Sequence, residues 1–193
     1  GPIEIDGSTL VRTRAFKVGA LDGLGKSVGF VKLAASEADF SSDLPVVLLS
    51  TFNKGVPPDT GSTTRKDVFM LIYEPDPITG RTTFNSAPAV ATRGGFRKRG
   101  SSSASFPKYA MSFESWNEFN EDKDISPLGF SSEADWILNA RYTFDRSLMR
   151  NPFIYALSND VGQWAVGTRF VELYNDVSGS EVTSNDYFGV YTF

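Results

Sequence analysis

The segment Arg97-Lys98-Arg99-Gly100-Ser101-Ser102-Ser103, with Lys108 shortly after it, holds the residue types best suited to chemistry in this 193-residue sequence. Small residues between two extended runs let backbone N–H groups approach an anion closely. Hydroxyls and cations add further donors, and the group that such a segment suits is a phosphate. Residue types alone leave the alternatives open: a Gly/Ser-rich stretch is commonly a plain loop, and basic residues on a strand are commonly a wet face. The sequence contains neither His nor Cys. That excludes Ser–His–Asp and Cys–His catalysis, and imidazole or thiolate metal sites, within these residues. Chemistry here rests on carboxylates, Lys, Arg, hydroxyls and backbone.

Two further groups stand out. In Ser132-Glu133-Ala134-Asp135-Trp136 the structural reading is favoured: Asp135 caps a short segment and Trp136 anchors a core. In Asp145-Arg146-Ser147-Leu148-Met149-Arg150-Asn151, Asp145 near a helix start complements the exposed N–H groups there. Arg150 either bridges carboxylates, the favoured reading, or reaches a phosphate.

The elements that must position these residues read as mainly strands. Leu44 to Thr51 and Asp67 to Tyr73 are continuous apolar runs of strand length, expected as buried strands. Residues 53–66 read as a loop. Strands are expected near 89–98, 106–113, 169–175 and 187–193, with Tyr109, Met111 and Phe113 pointing inward. Residues 114–124 read as a solvated acidic loop. One helix is expected over about 152–161, with Asn151 as its cap, Pro152 in its first turn and Gly162 just past its end. A break or kink is expected near Asn151. Phe153, Leu157, Trp136, Phe170 and Leu173 are expected to be buried where helix and sheet meet. The fold class is α+β: a mainly antiparallel sheet with one principal helix.

Composition adds bounds. A net charge of -4 argues against a nucleic-acid binder that relies on bulk charge. No run is long and apolar enough for a membrane-spanning helix. The opening Gly1-Pro2-Ile3-Glu4 reads as turn chemistry, so the stretch is expected to begin mid-protein.

The order of motifs in the last third resembles the CotH kinase family, atypical protein kinases known from spore coats and from secreted bacterial proteins. The likeness covers about residues 45–193, more tightly 93–193. It rests on Arg99-Gly100 with Ser102-Ser103, Pro107-Lys108, the Asp135-Trp136 turn, the Asp145-to-Asn151 motif, and RFVELYN followed by GVY. The resemblance implies an atypical kinase N-terminal lobe that uses ATP with Mg or Mn and transfers the γ-phosphate to protein hydroxyls. It assigns nucleotide contact to Arg99, Ser102, Ser103, Lys108 and Arg150. It places the catalytic acids beyond Phe193, so this stretch alone is expected to be inactive. The parent is expected to be secreted or on a bacterial cell surface. Ser101 stands where the family often has Asn, Pro152 where many members have a small residue, and Ala156 where many carry an acid. Glu172 could replace that acid as the partner of Lys108.

Residues 3–17 are weakly similar to the closing hairpin of the small β-domain appended to chitobiases and β-hexosaminidases, with Asp6-Gly7-Ser8 as its turn. The expected organisation is therefore the end of a small β-domain over 1–20, a connector over 21–44, and the kinase-like part over 45–193. The competing reading is a non-catalytic structural or adhesion scaffold; a third is a carbohydrate-binding β-module. Because Tyr187, Phe188, Tyr191 and Phe193 form an aromatic β-prone run, self-association through an exposed edge is also expected.

Overall fold

The computed structural model describes every residue except 141, 143, 144, 146 and 148. The readings of Arg146 and Leu148 lie outside the described residues. In chain order the strands are β1 (Thr9–Thr13), β2 (Lys26–Phe30), β3 (Ser41–Ser42), β4 (Val46–Ser50), β5 (Lys66–Tyr73), β6 (Thr82–Thr83), β7 (Val90–Arg99), β8 (Ala110–Ser115) and β9 (Asp135–Leu138). The helix α1 (Arg150–Asp160) follows, then β10 (Phe170–Asp176) and β11 (Tyr187–Thr192). The protein is thus mostly sheet with one α-helix among the described residues.

Seven strands form the main sheet, in the order β11-β10-β4-β5-β7-β8-β9. The run VVLLS of β4 is buried at every position, because β4 sits in mid-sheet with apolar layers on both faces. Val47 and Leu49 join Met70, Ile72, Phe96, Met111, Phe113, Leu173 and Tyr191 on one face. Val46 and Leu48 join Phe69, Leu71, Phe84 and Tyr174 on the other. The sheet is mixed: β10 runs parallel to β4, and the expectation of a mainly antiparallel sheet is corrected there. A parallel pairing needs a long crossover, and the chain from β5 to α1 supplies it.

The sheet also curls until its two edges touch. Asn139, just after β9, and Thr192 of β11 exchange both backbone hydrogen bonds, at 2.7 and 3.1 Å. The end of the aromatic C-terminal run is covered in this way, while Tyr187 at its start stays exposed. Tyr191 and Phe193 are buried, and the Tyr191 hydroxyl donates to the Tyr109 carbonyl at 2.9 Å.

Three expectations need correction. First, α1 begins at Arg150, not with Asn151 as a cap. Pro152 then falls in the first turn, where a missing N–H costs nothing, and no kink is required. Gly162 does follow the helix, at φ +81°. Second, α1 buries none of its residues: Phe153 is 63% and Leu157 43% exposed. Only Asn151 and Tyr155 of α1 line the space between it and the sheet edge, so the helix stands off the sheet. Leu173 is buried. Trp136 is half-buried against Phe130 and Phe193, and Phe170 is half-buried. Third, the acidic segment is only partly solvated. Glu114 pairs with Arg65 at 2.9 Å, and Glu118 accepts from Ser27 at 2.6 Å and pairs with Arg12 at 3.3 Å.

At the N-terminus β1 pairs with β2, antiparallel, instead of with the run before Asp6. This ribbon rests on the main sheet through the Glu118 contacts and through Leu10, which packs on the second apolar layer.

Candidate phosphate-binding site

The end of β7, the turn after it and the start of β8 enclose a cavity of about 460 Å³. Side chains alternate along β7, and the three cations there have different fates. Arg97 donates to the Ser62 carbonyl at 2.8 Å. Lys98 is paired with Asp59 at 2.9 Å and lies over the Tyr109 ring. Arg99 is exposed, lines the cavity, and makes no ion pair among the described residues.

Gly100 turns the chain at φ +115°. A Cβ there would lie 2.4 Å from the Ser103 hydroxyl, so glycine serves both the backbone angle and the close approach. The turn continues as a short 3-10 helix, Ser102–Ser105. Ser103 faces the cavity. Ser102 does not line it; it is exposed, and its carbonyl accepts from the Ser105 hydroxyl at 2.7 Å.

Lys108 enters just ahead of β8. Its ammonium donates to the Val190 carbonyl at 2.6 Å and sits 5.0 Å from the centre of the Tyr191 ring. Burial lowers its pKa from the ordinary lysine value, and the Glu172 charge partly offsets that. Glu172 does not salt-bridge to it: its carboxylate accepts from Ser42 at 2.8 Å and from Tyr187 at 2.5 Å. Arg150 lies elsewhere, with its Nε 3.8 Å from the buried Asp145 carboxylate.

Arg99, Ser103 and Lys108 are thus brought to one cavity, while Ser102 and Arg150 are not. Three residues of the wall carried no signal in the sequence: Thr60, Asn139 and Tyr142. Each sits in a segment whose local pattern is ordinary: the loop around Thr60 is tied to β7 through Pro58, Asp59 and Ser62, and Asn139 is placed where the sheet edges meet. Tyr142 packs against Phe106, ring centres 5.8 Å apart, so the cavity has a cationic, hydroxyl-bearing part and an aromatic part.

The acids near the C-terminus have structural partners. Asp176 is fully buried. It accepts from the Ser50 and Ser178 hydroxyls and from the Ser178 and Gly179 amides. Glu181 pairs with Lys32 at 2.6 Å, and Asp186 closes a capping box with Thr183. Among the described residues no group of three or more acids gathers as metal ligands would.

The CotH kinase protein family model matches residues 96–193, a span that starts inside β7 and includes every named candidate. No curated protein and no solved structure matches the chain.

Proposed function

Because this chain belongs to the CotH kinase protein family, we propose that its cavity holds the phosphates of ATP during transfer of the γ-phosphoryl group to a protein hydroxyl. The observation that carries this reading is the convergence of Arg99, Ser103 and Lys108 on one cavity that also has an aromatic wall. The guanidinium, the hydroxyl and the ammonium all donate to phosphate oxygens, and charge-assisted bonds of this kind are the strong ones. Phe106 and Tyr142 offer flat surface to a purine. Lys108 is partly desolvated, so an incoming anion restores the attraction that burial removed.

Phosphoryl transfer relies on positioning and charge stabilisation, with a divalent metal supplying much of the positive charge. The described carboxylates do not fit such a metal, since the acids near the C-terminus are tied to backbone amides, hydroxyls and Lys32. The part assigned to these residues is therefore the phosphate cradle. The acceptor chemistry and a secreted or cell-surface location rest on the family resemblance. No helix among the described residues is long and apolar enough to cross a membrane.

Calorimetric titration of ATP tests the reading, with wild type set against Lys108→Ala. Loss of one cation–phosphate contact is expected to weaken binding by about 1.5–3 kcal/mol. Equal affinity for both proteins would dismiss Lys108. Absence of ATP binding altogether would favour the non-catalytic scaffold reading.

A further inference from the structure

The two edges of the main sheet meet at Asn139 and Thr192, and beyond that point no strand among the described residues pairs with the outer side of β9. Backbone groups of antiparallel strands face alternate edges. Asn139 faces away from β8, toward Thr192, so Ile137 and Asp135 face the same way. Ala134 confirms the alternation, since its carbonyl accepts from the Ser115 amide of β8 at 2.9 Å. Among the described residues no backbone hydrogen bond outside the strand ladders reaches Asp135 or Ile137.

A second cavity, of about 490 Å³, opens along this stretch. β9 forms one side and the irregular segment 165–168 lies among its other walls. Trp136, Trp164 and Phe193 supply apolar surface. Arg99 and Asn139 line this cavity as well as the phosphate cavity, so occupants of the two would lie side by side.

We infer that β9 accepts an extended segment of the polypeptide acceptor as an added strand, with an aromatic or branched apolar side chain of that segment seated in the second cavity. The unpaired groups of Asp135 and Ile137 give the main-chain hydrogen bonds, and the cavity selects the side chain that points into it; this is the division of labour in strand addition. The occupant's identity as acceptor rests on the phosphoryl-transfer reading and on the shared Arg99. Strand addition itself rests on the free edge.

The test is amide hydrogen exchange by NMR on the whole chain, titrated with the capped hexapeptide acetyl-Thr-Val-Phe-Ser-Val-Thr-amide. Slowed exchange is expected at Asp135 and Ile137, with little change at Trp136 and Leu138, whose groups already face β8. Replacing the peptide's Phe by Ala should weaken binding about tenfold. Ile137→Pro removes one edge donor and should weaken it about fivefold. Should that variant unfold, Val166→Asp places a charge in the cavity wall without touching the edge, and it should weaken the Phe peptide more than the Ala peptide. Equal affinity for the two peptides, or binding without protection of those two amides, would overturn the inference. Protection that grows with protein concentration in the absence of peptide would put a second copy on the edge instead, and would also overturn it. ATP titration of the same samples reads the other cavity. If ATP fails to bind while the peptide does, the acceptor assignment falls and strand addition stands.

Discussion

Lys108 is positioned by the fold before any ligand arrives: a β11 carbonyl and the Tyr191 ring hold its ammonium. Its pKa lies below the ordinary value of 10.5, so deprotonation comes earlier than for a surface lysine. ATP affinity measured against pH should therefore begin to fall below 10.5, and Lys108→Arg should retain affinity to higher pH because guanidinium does not deprotonate there. A second residue-scale prediction concerns Glu37, a buried acid that accepts the Tyr174 hydroxyl at 2.8 Å. Tyr174→Phe removes that donor and should cost about 1–3 kcal/mol in denaturant unfolding. The sequence pointed to Arg99, Ser103 and Lys108 because small residues, hydroxyls and cations cluster there in one short stretch. It could not point to Asn139 or Thr60, which are remote along the chain and reach the cavity only through tertiary structure.

At the scale of elements, the most readable parts were those with one environment throughout. The uniform apolar runs of β4 and β5 need two covering layers, and they have them. The helix was readable in extent, since Pro152 and Gly162 punctuate it, but not in packing. An apolar stripe tells which face of a helix prefers burial and not whether anything lies opposite. Among the described residues nothing buries it: α1 contributes no buried residue, and a short helix without tertiary support is marginal in water. Chemical denaturation should show the contrast. Leu173→Ala, in the core, should cost about 2–5 kcal/mol. Leu157→Ala, on α1, should stay within about 0.5 kcal/mol. A large effect at Leu157 would mean that the helix packs in solution. The parallel β4–β10 pairing had no signal at all, because each strand's side-chain alternation is the same whichever way its neighbour runs.

For the molecule as a whole, burial raises the pKa of Tyr174, Tyr187 and Tyr191 well above the ordinary value of 10.0, helped by Glu37 at Tyr174 and by Glu172 at Tyr187. Above that value the unfolded chain loses these protons while the folded one keeps them, so stability falls as pH rises. Melting temperature should be insensitive to these groups below pH 10.0 and decline beyond it. The sheet order has a separate consequence for how this fold is assembled. The central strands β4 and β5 come from the first half of the chain, yet β4 sits directly between β5 and the late strand β10. The family match begins at Phe96, after both central strands and partway along β7. A polypeptide cut to residues 96–193 would hold both flanks of the sheet with no middle to join them. It should show no cooperative melting, and adding residues 1–95 as a separate chain should restore it. The stretch matched by the family model thus leaves out the two buried strands on which its own strands pack.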